Sequence, residues 1–193
     1  MTRLRLQDEL EVKARVTDVA ALLRALRRAG ARLQFQGRML DRHYDRAREL
    51  TRGDQVLRLR IYQPAGRGSA RAVLGWKGPA SARGAYRHRA EVELAISDYE
   101  AMVALLARLR YRVRRAIHRR VEVYRLGRAT LRLESYPRMD TLLEVEGPPL
   151  AIERAIAATG LPRGRFLPES LPYFARAYRR RTGRRALLAR GRA

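Results

Sequence analysis

The stretch Glu9-Leu10-Glu11-Val12-Lys13-Ala14-Arg15-Val16 sets charged and apolar residues in strict alternation. In an extended chain Glu9, Glu11, Lys13 and Arg15 share one face, and Leu10, Val12, Ala14 and Val16 share the other. The spacing predicts a strand over 3–16. Thr17-Asp18 then caps a helix whose apolar positions Val19, Leu22, Leu23 and Leu26 recur at helical spacing up to Gly30. Strand-like stretches follow over 31–46, 54–63, 71–78 and 85–96, with turn signals at Gly53-Asp54, Pro64-Ala65-Gly66 and Gly78-Pro79 between them. Ser97-Asp98 opens a second helix carrying Met102, Leu105, Leu106 and Leu109. Strands over 111–125, 128–136 and 140–147 come next, then a helix from Pro148-Pro149 to about Gly160 and a last one from Pro168 to about Arg181. The pattern predicts one α+β domain over residues 1–181 with about eight antiparallel strands. Residues 182–193 are Arg-rich, lack apolar periodicity and read as a flexible tail.

Composition narrows the function classes. At 193 residues and 46% hydrophobic content the chain can bury one substantial core. It has no cysteine, which removes disulfides, thiolate metal sites and cysteine nucleophiles. No apolar run approaches the roughly 18 residues that span a bilayer, and no signal-peptide core follows Met1, so the expected location is the cytoplasm. The formal net charge of +24 calls for an anionic partner, either a phosphate-rich small molecule or a nucleic acid. Lys13 and Lys77 are the only lysines among 43 basic residues. Lys is a slim point charge where Arg is a planar fork, so these two positions are marked out.

The charged strand faces carry the chemistry. Arg58 and Arg60 share a face, as do Arg87, Arg89, Glu91 and Glu93, then Arg132 and Glu134, then Glu144 and Glu146. For any one strand such a face is ordinarily just solvated. Three acidic pairs at i, i+2 nevertheless occur (Glu9/Glu11, Glu91/Glu93 and Glu144/Glu146) in a chain with only 19 acidic residues. Side-by-side carboxylates repel unless a cation lies between them, and hard divalent ions such as Mg²⁺ and Mn²⁺ take oxygen ligands of this kind. The Arg and Lys pairs suit phosphate oxygens. A closed sheet with these faces turned inward would hold carboxylates for metals beside cations for a polyanion. No Ser/His/Asp order, Gly-rich phosphate loop or Cys/His zinc spacing appears. His43, His88 and His118 read as packing or surface residues, and so do Trp76 and the tyrosines, although Tyr62 and Tyr86 are placed to flank a ligand.

These residues resemble the CYTH superfamily, the triphosphate tunnel metalloenzymes, which includes thiamine triphosphatases, class IV adenylyl cyclases and inorganic triphosphatases. Glu9, Glu11 and Lys13 match its Glu-x-Glu-x-Lys strand, and Asp41-Arg42-His43-Tyr44-Asp45 stands where an Asp-Thr-Tyr-Phe-Asp-like segment is usual. Arg58 and Arg60 fit its Leu-Arg-x-Arg strand, and Trp76-Lys77-Gly78-Pro79 its Lys-Gly-Pro element. Arg89, Glu91 and Glu93 fit Arg-x-Glu-x-Glu, and Leu142 to Glu146 is similar to Phe-x-Glu-x-Glu. Ser170 to Phe174 is similar to its Ser-x-x-Tyr element. The likeness covers roughly residues 6 to 180. Glu134 replaces the usual Asp, and Arg119-Arg120-Val121-Glu122-Val123-Tyr124 only approximates Lys-x-Arg-x-x-Tyr, which leaves open which of Arg114, Arg115, Arg119 and Arg120 faces the ligand.

The resemblance implies an eight-stranded antiparallel β-barrel that holds a triphosphate: inorganic tripolyphosphate, thiamine triphosphate or a nucleoside triphosphate. It implies Mg²⁺ or Mn²⁺, as one or two ions, on Glu9, Glu11, Glu144 and Glu146, with Glu134, Glu91 and Glu93 supporting. Lys13, Arg58, Arg60, Lys77, Arg89, Arg119 and Arg120 would grip phosphate, with Lys13, Glu11 and Glu146 closest to the chemistry. Such an enzyme acts as a monomer or homodimer without a membrane. Two alternatives stand beside hydrolysis: cyclisation of ATP to cyclic AMP and pyrophosphate, and non-catalytic binding of RNA or polyphosphate through the basic tail.

Overall fold

The computed structural model describes residues 6–189; residues 1–5, with the start of the first expected strand, and residues 190–193, with the end of the expected tail, lie outside the described residues. Nine strands form among the described residues: β1 (Gln7–Val16), β2 (Arg32–Asp45), β3 (Val56–Pro64), β4 (Arg71–Lys77), β5 (Ser81–Arg83), β6 (Tyr86–Ile96), β7 (Arg112–Leu126), β8 (Ala129–Ser135) and β9 (Thr141–Glu146). Their order is β1-β9-β8-β7-β2-β3-β4-β6-β5, and β1 also pairs with β6. That last pairing, Glu9 opposite Arg89 and Glu11 opposite Arg87, closes an eight-stranded antiparallel barrel with β5 added on its rim. The expected α+β barrel is therefore what forms.

The apolar strand faces point outward and are covered by helices. Helix α1 (Val19–Arg28) starts where Asp18 accepts from the Ala21 amide at 2.8 Å, and Arg27 and Arg28 lie at its dipole-favoured end. Helices α2 (Glu49–Arg52) and α3 (Tyr99–Arg108) follow, then α4 (Pro149–Thr159) and α5 (Leu171–Thr182). Leu22 and Leu26 of α1 and Ile152 and Ile156 of α4 pack on Val12, Leu131, Leu143 and Val145 of β1, β8 and β9. Each such fully buried side chain contributes about 1.5–3 kcal/mol. Leu106 of α3 packs on Tyr44 and Leu59 in a second cluster.

Three features depart from the sequence expectation. The single-turn α2 and the three-residue β5 are too short to show a period. Residues 183–189, expected as flexible tail, are instead tied to the barrel: Leu187 and Arg138 exchange backbone hydrogen bonds, and the His118 amide donates to Leu188 at 2.7 Å. These bonds are main-chain bonds, so no side-chain pattern announces them. No helix among the described residues is long and apolar enough to cross a membrane.

Candidate active site in the barrel interior

The inward faces line two cavities that meet inside the barrel. The larger, about 510 Å³, opens at the end where β1 finishes; the smaller, about 240 Å³, lies at the opposite end. Arg58, Arg60, Lys77 and Arg132 line both, so a single layer of charged side chains separates them. Ten basic and six acidic side chains line the larger cavity, whereas four basic and five acidic line the smaller. The tunnel is thus polarised, cationic at the front and acidic at the back. Met39, Tyr62, Val73 and Val121 form an apolar cluster that fills part of the back of the interior.

Strand register decides which charges meet. Lys13 Nζ sits 2.7 Å from Glu11 Oε1 and 2.8 Å from Glu144 Oε2, almost fully buried. Lys77 holds Glu9 and lies 3.2 Å from Glu91. Arg58 Nη2 lies 3.2 Å from Glu91 and 2.9 Å from Glu93. It reaches them across Gly75, its partner on the intervening strand β4, where a Cβ would lie in ordinary contact with the guanidinium at 3.6 Å. Arg132 spreads its fork over the third pair, Nη1 on Glu144 and Nη2 on Glu146 at 2.9 Å. Deeper in, Asp41 is 1% exposed and accepts from Arg60 at 2.7 and 3.0 Å and from Arg119 at 3.1 Å. Arg119 also donates to Glu134 at 2.9 Å, and the Tyr136 hydroxyl donates to the same carboxylate.

Protonation follows from these contacts. Burial would raise the Asp41 carboxyl, but the Arg119 and Arg60 guanidiniums outweigh it and hold the group well below the usual range. Burial works against ionised Glu9 too, yet Lys77 carries it to about 2. Burial raises Glu146 to about 8, helped by Glu144 and Glu9 against Arg132, so near neutral pH it keeps a proton and hydrogen-bonds Glu9. His43 is driven to about 3, first by burial and then by Arg58, Arg115 and Arg119, and it lines the front cavity as a neutral imidazole.

Most expected site residues come together in this interior; Arg120 and Tyr86 lie outside it, and some of the expected metal ligands are engaged by cations within it. Arg120 lies exposed on the outer face, with Val121 turned inward beside it. Glu134 and Glu144, expected as metal ligands, are turned onto Arg119 and onto Lys13 and Arg132. Tyr86 is outside the tunnel, bonded to Glu153 at 2.7 Å, while Tyr62 lies within it. Sequence reading passed over Arg132 and Arg87, although both share faces with residues it chose. It also missed Arg114 and Arg115 acting together: a bulge opposite His43 and Tyr44 inserts Arg114, and both arginines line the front cavity.

Do these residues fit a divalent ion? Among the described residues no three carboxylate or imidazole groups converge at metal-ligand spacing. The two pairs on β6 and β9 are already bridged by Arg58 and Arg132. Glu9 and Glu11 on β1 remain, beside Lys77 and Lys13 rather than under an arginine fork. A small hard cation is commonly held by one or two carboxylates completed by phosphate oxygens and water, and this oxygen-only pair suits it. The residues fit one ion.

No protein-family profile and no curated protein sequence matches the chain. Solved structures do. A protein from Vibrio parahaemolyticus, provisionally named an adenylate cyclase, superposes with TM-score 0.72 at 22% identity over 88% of this chain and 98% of its own. The fold is shared. The PH1012 protein of Pyrococcus horikoshii OT3 matches with TM-score 0.68 at 20% identity, covering 86% of this chain and 98% of its own. HpAC1 from Hippeastrum, a provisional adenylyl cyclase described as having a dominant triphosphatase activity, matches with TM-score 0.61 at 18% identity over 93% and 98%. The shared fold is consistent with the strand motifs that resemble the CYTH superfamily.

Proposed function

We propose that this chain is a CYTH-type phosphohydrolase that takes a linear triphosphate into the barrel from its cationic end, together with one Mg²⁺ or Mn²⁺. The observation that carries this reading is a set of buried, unpartnered donors: Nη1 of Arg89, Nη1 of Arg119 and Nε of Arg132. All three residues line the front cavity. Buried polar groups are nearly always hydrogen-bonded, and a guanidinium N–H without a partner inside a tunnel fits an oxyanion. The names of the Vibrio and Hippeastrum proteins point the same way.

Phosphoryl transfer is chiefly positioning and charge stabilisation, so a tunnel of fixed cations supplies what the reaction needs. Arg89, Arg119 and Arg132 bind the phosphate oxygens, with Lys13, Arg58 and Lys77 set between carboxylates around them and Arg60 beside Asp41. Asp41 and Glu134 hold Arg60 and Arg119 in place. Neutral His43 lines the front cavity and offers a ring nitrogen to hydrogen-bond the ligand rather than to take up its proton. Glu9 and Glu11 would hold the metal, which when bound would supply Lewis-acid polarisation of the phosphate.

The test is a panel of tripolyphosphate, thiamine triphosphate and ATP, each with Mg²⁺, Mn²⁺ or EDTA, with products resolved by ³¹P NMR. Release of orthophosphate is the expected result. Cyclic AMP and pyrophosphate from ATP would replace the hydrolase by a cyclase, and salt-sensitive RNA binding without turnover would replace both by a binding module. In the same assay Arg89→Met is expected to weaken tripolyphosphate binding roughly tenfold or more, as the loss of one charged hydrogen bond does. Its partner Asp54 is largely exposed, so the fold should survive the change. Unchanged affinity in that variant would remove Arg89 from the phosphate track.

A further inference from the structure

The three acidic pairs pose one question: which cation separates each pair of neighbouring carboxylates? On β9 it is an arginine of the chain itself. Arg132 stands directly opposite Glu144 across β8 and β9, so its fork reaches Glu144 and, two residues on, Glu146. On β6 Arg58 does the same for Glu91 and Glu93. A guanidinium stays charged in proteins and is covalently fixed, so it cannot be exchanged for a metal ion. A divalent ion seated on Glu144 and Glu146 would have to expel Arg132 and leave a cation buried without its counter-charges, at a cost of several kcal/mol.

We propose that Arg132 is a resident cation that fills the Glu144/Glu146 pair in place of a divalent ion, so that the tunnel takes up its triphosphate with one metal ion rather than two. The inference rests on the triphosphate reading above. Arg132 lines both cavities, and its Nε–H is buried and unpartnered. While the two terminal nitrogens neutralise β9, the third is left without a protein partner. A metal ion in that place would coordinate phosphate oxygen as a Lewis acid; Arg132 offers a hydrogen bond and one positive charge. Part of the triphosphate affinity is therefore built into the chain and does not depend on added metal.

The experiment is calorimetric titration of tripolyphosphate into the full-length protein, once in EDTA and once in saturating Mn²⁺, with bound Mn²⁺ counted by electron paramagnetic resonance. The wild type is expected to bind tripolyphosphate in EDTA and to hold one Mn²⁺ per chain in the ternary complex. Arg132→Met should lose roughly 10- to 100-fold of the EDTA affinity, the worth of a charged hydrogen bond, and should gain a second Mn²⁺. Arg132→Lys keeps the charge without the fork; it should fold even if Arg132→Met does not, and should show a smaller loss in EDTA. Two Mn²⁺ per chain in the wild type, or EDTA affinity unchanged in both variants, overturns the inference and leaves the triphosphate reading standing. Failure of the wild type to bind tripolyphosphate under either condition overturns both.

Discussion

Replacing Asp41 by alanine is expected to destabilise the fold by about 3–5 kcal/mol, as removing one partner from a buried ionic cluster does. The carboxylate is 1% exposed and separates two guanidiniums that are themselves 2% and 8% exposed. Without it Arg119 keeps Glu134, but Arg60 keeps only the Tyr62 hydroxyl at 3.1 Å and gains a like charge as neighbour. Domains of this kind are typically stable by about 5–15 kcal/mol, so the loss is a large share of the whole. Urea unfolding should show a lower midpoint at an unchanged slope. Tripolyphosphate should restore more stability to Asp41→Ala than to the wild type, because the anion supplies the missing negative charge. The pH dependence has a definite sign. A carboxyl held below its unfolded value contributes stability that is complete above about pH 4 and is lost as the pH falls. The variant should lack that component. A midpoint equal to that of the wild type would mean that the Arg60 and Arg119 charges are solvated rather than confined, and the enclosed tunnel would lose its strongest support.

Much of this arrangement could be read from strand alternation. Once Glu9, Glu11 and Lys13 share a face, so must Arg58 with Arg60 and Glu144 with Glu146, and only a closed sheet lets such faces meet. The pairing across strands was not legible. Lys77 and Glu9 are 68 residues apart, and Arg58 and Glu91 are 33 apart. No local period encodes which cation lies between which carboxylates, because that depends on the register of strands distant in sequence. The same limit explains Arg119 and Arg120. Counting by twos from Arg114 puts Arg120 inside the barrel, whereas counting from Arg115 puts Arg119 there. The bulge at Arg114 allows both starting residues to line the cavity, and the strand beyond it follows the count from Arg115. An extra residue in a strand changes the face of everything that follows.

The repeated bridging of acidic pairs also bears on how a tunnel of charges stays folded. Each carboxylate of the three acidic pairs touches a cation of the chain, and Lys13, Arg58, Lys77 and Arg132 each touch two carboxylates. Such a lattice is nearly neutral within the barrel, although the whole chain carries +24. The surplus positive charge lies at the front, where Arg114 and Arg115 line the cavity. A potential of that shape draws an anion inward as far as the unpartnered guanidinium N–H groups.

Lys13 is the residue whose loss should cost the most activity. Its ammonium touches Glu11 and Glu144 at once, between the front cavity and the carboxylates of β1 and β9. A fork as wide as that of Arg could not sit between these two side chains without displacing one of them, which gives a physical reason for a lysine in a chain that otherwise uses arginine. Removing one preorganised charge from such a site typically costs about 10²–10³ in kcat, or about 2.7–4 kcal/mol in the barrier. Lys13→Ala is expected to fall in that range against tripolyphosphate. The single variant also leaves Glu11 with only Arg87, 3.7 Å away, so lost stability could be mistaken for lost chemistry. The double variant Glu11→Gln/Lys13→Met separates the two, because it removes both charges and keeps most of the volume. It should fold like the wild type and still lose at least the same factor in kcat. Near wild-type turnover in the folded double variant would place the reaction somewhere other than the Glu11–Lys13–Glu144 cluster, and the proposed active site would have to be abandoned.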